Sequence, residues 1–234
     1  MVIAAVLGGG RGSRMETALP KQFLPLGGEP VFLHSLRAFL THPKVEAALA
    51  LVPPEYIAFA EEQIRSAFPG GKPVTVLPGG ETRGDTLKAA LAYVEKTCGL
   101  PGTVLLTHDA ARPFVTARMI DENIAGALAY GAVNTCMPAT DTVFLSEDGR
   151  FISSVPPRSA VFHAQTPQTF LAERLAGLIA RMPPEEFAAL TDGCSVFTAF
   201  GLPVYMARGS DTNLKITYPG DLARAEQILS AREE

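Results

Sequence analysis

The stretch LGGGRGSRMETALPKQF, residues 7–23, gathers four glycines and three basic side chains, Arg11, Arg14 and Lys21, directly after the apolar run VIAAVL. Glycines let backbone N–H groups approach a phosphate closely, and a concavity of such groups binds anions. Cations added to that loop suit a polyanion such as a triphosphate. Two common phosphate loops are excluded by spacing. For the dinucleotide fingerprint G-x-G-x-x-G, the third glycine would fall on Ser13 counted from Gly8, or on Met15 counted from Gly10. For the P-loop, no Lys-Ser or Lys-Thr follows the glycines. What remains is a glycine-rich loop after the first strand with Arg11, Arg14 and Lys21 in or just beyond it, an anion-binding loop by its place, with a surface turn of solvated charges as the plain alternative.

Three further places carry chemistry. GGETRGDT, residues 79–86, follows an apolar run at a helix start and puts Arg83 and Thr86 in the first turns; alone it reads equally as a capped helix. In LLTHDAARPFV, residues 105–115, Asp109 falls at the carboxyl end of an expected strand, where a carboxylate is well placed to hold Mg²⁺ bridging nucleotide phosphates. His108 points to the opposite face of that strand and reads as structural. Arg112 precedes Pro113 and is thereby held extended. Arg158, Thr166, Thr191-Asp192 and Lys215 each have a plain reading as solvated, turn, capping or strand-edge residues. Together they complete a site with several cations and one placed carboxylate. No G-x-S-x-G elbow exists, so a serine hydrolase has no nucleophile here.

The elements that must position these groups alternate. VIAAVL, VEAALALV, KPVTVL, GTVLLT and GAVNTCMPA read as strands buried on both faces. VFLHSLRAFL, PEYIAFAEEQIRSAF, TRGDTLKAALAYVEKT and ARMIDENIAGALAYG read as helices between them, the last ending at Gly131. Further helices are expected around 170–181 and 191–199, a strand at 203–207, and a closing helix from Pro219. Such alternation implies an α/β fold with a mostly parallel central sheet flanked by helices and ligands at the carboxyl ends of its strands. TDTVFLSEDGRFISSV, residues 140–155, breaks the rhythm with a hairpin signal at Glu147–Arg150. An isolated hairpin is marginal in water, which points to a partner subunit as its support.

The bulk properties agree with one domain, residues 1–234, bearing an inserted arm at 139–160. Hydrophobic content of 47% with 19% charged residues describes a globular chain, and a net charge of −4 argues against a nucleic-acid coat. Cys98, Cys136 and Cys194 are scattered, giving neither a disulfide framework nor a zinc site. No signal-peptide pattern and no membrane-length apolar run are present, so a cytoplasmic location without membrane partners is expected.

Taken in order, GGGRGSRM…PKQF, GGETRGDT, HDAARPF, ATDTV, QTPQ, LTD and NLKIT resemble the cytidylyltransferases that join CTP to a polyol phosphate, over essentially the whole chain. The resemblance implies a Rossmann-like nucleotidyltransferase fold, Mg²⁺ as cofactor, and a homodimer built through the protruding β-hairpin arm. It implies Arg14, Lys21 and Lys215 as catalytic cations and Leu7, Gly8, Gly9, Gly10 and Gly12 as the triphosphate cradle. It places the cytosine pocket at Gly80, Arg83 and Thr86, and Asp109 beside ribose and metal. Ala110, Arg112, Thr142, Arg158 and Thr166 would meet the acceptor, the two arm residues across the dimer. Gly8 stands where this family usually has alanine, which reads as a loosened loop.

The implied reaction suits these residue types. A phosphate oxygen of the acceptor is already anionic at neutral pH, so its in-line attack on the α-phosphate of CTP needs no general base. The barrier lies in bringing two polyanions together, which is work for cations. Two acceptors fit the family. HDAARP is typical of the branch using 2-C-methyl-D-erythritol 4-phosphate, whereas the opening VLGGG, PKQF, THD, MIDENIAGALAYGAV and LTDGC lean toward D-ribitol 5-phosphate, the reading preferred from sequence. Another sugar-phosphate nucleotidyltransferase is the rival enzyme class. A non-catalytic nucleotide-binding subunit is the more distant alternative.

Overall fold

Along Val2–Leu7 (β1), Ala4 and Val6 enter one apolar cluster while Ile3 and Ala5 enter another, so the strand is buried on both faces and lies at the middle of the domain. The computed structural model describes residues 1–10, 15, 17 and 19–233. Two short pairs, Pro25–Leu26 (β2) and Glu29–Pro30 (β3), form a separate antiparallel ribbon. Strand β1 pairs in parallel with Ala47–Val52 (β4) and Val104–Asp109 (β6). With Val74–Pro78 as β5, Ala132–Pro138 as β7, Phe162–Leu171 as β8 and Tyr205–Arg208 as β9, the main sheet has seven strands in the order β5-β4-β1-β6-β8-β7-β9. Only β8 runs against its neighbours.

Helices Val31–Thr41 (α1), Ile57–Ala67 (α2) and Ala117–Tyr130 (α4) cover one face, joined to the cluster of Ala4, Val6, Ala50 and Leu106. Helix Arg83–Thr97 (α3), with Ala172–Ile179 (α5), Pro184–Ala189 (α6) and Cys194–Ala199 (α7), covers the other through Leu87, Leu91, Leu175, Phe187 and Phe197. A third cluster of Met15, Leu24, Leu26, Phe114, Ile216 and Ala225 fastens the closing helix Pro219–Glu233 (α8) under the segments that carry Lys21 and Lys215. Helix α4 ends as expected at Gly131, whose φ of 92° is a left-handed cap that a side chain would strain.

Three expectations change. QTPQTF, expected to hold a turn threonine and to begin a helix, is the interior of β8. Pro167 in the run argues against a central strand, but the pairing of β7 with β8 shifts register between Asn134 and Cys136, so Pro167 sits in the irregularity. NLKIT is an extended segment outside the sheet, tied back by the Ile216 N–H to the Ala111 oxygen at 2.9 Å. In the arm, the two β-rich runs are joined by one bridge, Leu145 to Ser154. Its tip is set by Asp148, whose Oδ1 accepts from the Arg150 and Phe151 N–H groups, and by Gly149 at φ 70°. The base is closed by the Ala139 N–H on the Val161 oxygen.

Candidate active site

The loops that leave β1 and β5 meet backbone to backbone at the carboxyl end of the sheet. Each begins by extending its strand: the Gly8 N–H donates to the Leu51 oxygen and the Gly79 N–H to the Val52 oxygen, both at 2.7 Å. A Cβ on Gly79 would lie 2.5 Å from the Gly9 Cα, so that crossing exists only because both residues are glycine. Gly8 is also packed: a Cβ there would sit 3.1 Å from the Ala110 Cβ and 3.2 Å from the Leu51 oxygen. Glycine at position 8 therefore seats the loop against Ala110 rather than loosening it. Beyond the crossing, α3 starts with a capping box in which Thr82 accepts from the Asp85 N–H and Asp85 accepts from the Thr82 N–H. The Thr86 hydroxyl donates to the Thr82 oxygen and accepts from the Gly80 N–H, fixing the turn that presents Gly80 and Arg83.

Asp109 ends β6 at the floor of this opening and gathers three cations. Arg83 Nη1 binds Oδ1, Lys215 Nζ lies 2.8 Å from Oδ2, and Arg112 Nε lies 3.5 Å from Oδ2. Burial by itself would raise the Asp109 pKa, but Arg83, Lys215 and Arg112 outweigh it and hold the carboxyl well below the usual carboxylate range. Behind it stands a polar network. His108 Nε2 donates to the Arg112 oxygen, so Nδ1 is the acceptor for the Thr166 hydroxyl, whose oxygen accepts from the Asp109 N–H. Burial pushes the His108 pKa down to about 4, with the Arg112 carbonyl and Asp109 recovering only part of the shift. The segment carrying Lys215 is bolted on by Arg112 Nη1 to the Asn213 oxygen at 2.8 Å and by the Asn213 amide to the Thr166 oxygen at 2.9 Å. Lys21, in the 3-10 turn Lys21–Phe23, donates to the Ile216 oxygen at 2.8 Å. Both lysines thus belong to one wall.

The resulting cavity, about 250 Å³, is lined by Leu7, Gly8, Gly9, Gly10, Lys21, Gly80, Arg83, Thr86, Asp109, Ala110 and Lys215, all of them singled out from the sequence. Gln22, Glu81, Thr82 and Ala111 also line it and were not singled out from sequence. Of these, Gln22 carried a signal, an amide between Lys21 and Phe23 with no apolar period to explain it. Arg112 and Thr166 are buried behind the wall, engaged as described. Thr142 and Arg158 lie on the exposed arm and do not line this cavity; Arg158 Nη1 reaches the Thr140 oxygen. Arg14 and Gly12 lie outside the described residues. Among the described residues no cluster of three or more His, Cys, Asp or Glu could hold a metal. The donor set, one carboxylate ringed by cations, suits an ion arriving on phosphates rather than a resident one. No described helix is long and apolar enough to cross a membrane.

A mostly parallel sheet that ends in a glycine loop, a lysine-lined wall and one ion-paired carboxylate defines a nucleotidyltransferase. The family model for IspD, 2-C-methyl-D-erythritol 4-phosphate cytidylyltransferase, matches residues 2–231. The chain belongs to this family of CTP-dependent cytidylyltransferases and is an enzyme of that class. A solved structure of 2-C-methyl-D-erythritol 4-phosphate cytidylyltransferase from Thermus thermophilus is similar to it at 30% identity, with a TM-score of 0.73 over 98% of both chains. The 4-diphosphocytidyl-2C-methyl-D-erythritol synthase from Anaerococcus prevotii shares the fold at 22% identity, with a TM-score of 0.81 over 98% of both chains.

Proposed function

We propose that this enzyme transfers the cytidylyl group of CTP to 2-C-methyl-D-erythritol 4-phosphate and releases pyrophosphate. The observation that carries the acceptor is the family match across residues 2–231, supported by the same acceptor in the name of the relative at 30% identity. This replaces the leaning toward D-ribitol 5-phosphate. Two of the features behind that leaning sit in packing elements: MIDENIAGALAYGAV forms α4 and the start of β7, and in LTDGC Asp192 Oδ1 accepts the Ser195 N–H while Cys194 is buried. Those two runs stay out of the cavity, whereas VLGGG, PKQF and THD reach it through Leu7, Gly8, Lys21 and Asp109, so the family match and not the lining carries the acceptor.

In this reading the glycine loop receives the triphosphate, and Lys21 and Lys215 take the charge that builds on the α-phosphate as the acceptor's phosphate oxygen attacks in line. Asp109 holds the Lys215 ammonium at the floor, so the cation is in place before substrate arrives. Arg14, the third cation implied by the resemblance, is assigned the same charge-neutralising role. Mg²⁺ carried by CTP would meet Asp109 and supplies neutralisation of phosphate charge. Gly80, Arg83 and Thr86 receive the base. The arm, residues 139–160, serves a second copy: Thr142 and Arg158 complete that copy's acceptor site in a homodimer. Pyrophosphate release measured with CTP and each of the two five-carbon polyol phosphates tests the acceptor. Turnover with the methylerythritol phosphate at least tenfold above the ribitol phosphate is the expected result. The reverse preference would restore the ribitol reading.

A further inference from the structure

Gln22 is 2% exposed, follows Lys21 in the 3-10 turn and reaches into the base of the glycine loop. Its Nε2 donates to two backbone oxygens of that loop, Gly8 at 2.5 Å and Gly10 at 3.0 Å, and so uses both amide hydrogens on one strand of chain. Carbonyl oxygens are the wrong end of the peptide dipole for a polyanion. In a trans peptide the C=O and the following N–H point in opposite directions. With the Gly8 oxygen drawn onto Gln22, the Gly9 N–H is turned to the far side of the same peptide. Gly9 has no Cβ to bias the choice; one added there would meet the Thr86 hydroxyl at 3.0 Å and the Gly79 Cα at 3.1 Å. Without a donor at position 22, the buried Gly8 carbonyl would also be left without that partner, which is costly.

We infer that Gln22 is a positioning residue for the nucleotide: its carboxamide selects the peptide orientation in which the Gly8–Gly10 loop accepts a polyphosphate. The inference rests on the proposed CTP chemistry for its assay, and not for its geometry. It differs from the role of the neighbouring Lys21, which supplies charge. Gln22 carries none and acts through the backbone.

Two variants separate the donors from the shape. Gln22→Met keeps length and neutrality but removes both donors, and Gln22→Glu keeps the outline but replaces donors with acceptors at neutral pH. Calorimetric titration of CTP is expected to show about tenfold weaker binding for Gln22→Met, from the loss of two hydrogen bonds that set the loop. In turnover assays the KM for CTP should rise similarly while the KM for the polyol phosphate stays within about twofold. Gln22→Glu should be worse at pH 8 and recover part of the loss as pH is lowered, because burial beside two carbonyl oxygens raises the pKa of a carboxyl there and its protonated form offers one donor. CTP binding by Gln22→Met equal to that of the wild type overturns the inference. So does a parallel rise in both KM values with a lowered melting temperature, which would mark Gln22 as structural only. If the wild-type chain binds CTP but turns over neither polyol phosphate, the proposed function fails, while the binding comparison still decides the role of Gln22.

Discussion

His108 precedes Asp109 in sequence, yet the ring is fully enclosed, edge-on to Phe39, with its two nitrogens engaged by the Arg112 oxygen and the Thr166 hydroxyl. Strand alternation alone separated the pair, since adjacent residues face opposite sides of a sheet. What alternation could not show is that the ring helps hold the carboxylate's backbone through Thr166. Its lowered pKa has a measurable consequence. The folded state keeps His108 neutral down to about pH 4, whereas an unfolded histidine takes a proton near the ordinary value of 6.5. Between those values the unfolded chain binds more protons, so stability is full above about pH 6.5 and falls as pH is lowered toward 4. On this basis about 2 kcal/mol should be lost between pH 7.5 and 5 through this one group. Urea unfolding at the two pH values should show that loss in the wild type and a much smaller one in His108→Gln; equal losses would mean that His108 is not buried neutral. Asp109 acts lower on the scale. Its depressed carboxyl contributes stability above the ordinary carboxylate range, and that contribution is lost only as pH falls below it.

At the scale of elements, the crossing of the β1 and β5 loops is the feature on which the cavity depends. Gly79→Ala would drive a Cβ to 2.5 Å from the Gly9 Cα, and backbone against backbone has no flexible side chain to yield. Thermal unfolding should report a loss of about 1–3 kcal/mol, the usual cost of overpacking, and CTP titration a loss of affinity larger than that of any single donor. Gly10→Ala is the matched comparison, with nothing within 4 Å of the added carbon, and should melt as the wild type does. If Gly79→Ala also binds CTP normally, the crossing does not shape the site. The sequence carried much of this level. Continuous apolar runs marked β1, β4, β5, β6 and β7, and the helices between them had regular apolar faces. Strand β8 was illegible because three of its buried positions are polar: Thr166, Gln168 and Thr169 are held by hydrogen bonds rather than by apolar packing, and Pro167 argues against a strand. Glycines 79 and 80 were readable as close-approach residues, but what they approach is another loop and the start of α3.

At the scale of the molecule, the cavity and the arm belong to different ends of one question, namely whether a single chain holds a whole site. Arm side chains Phe144, Leu145, Phe151, Ile152 and Val155 are all more than half exposed, Phe151 at 77%, although five such side chains in one short segment are costly to leave in water. The same segment carries Thr142 and Arg158, which stand off the chain's own cavity. Under the proposed exchange, an active site needs Lys215 from one copy and Arg158 from the other. Lys215→Ala and Arg158→Ala homodimers should then each be nearly inactive. Mixed after dissociation and reassociation, half the dimers would be hybrids with one intact site of two, restoring about a quarter of wild-type pyrophosphate release for a two-fold interface that pairs at random. An arm that served its own chain would leave both sites of every hybrid defective, and mixing would restore nothing. The recovery is thus an all-or-none report on which chain the arm completes, and it is independent of which polyol phosphate is the acceptor.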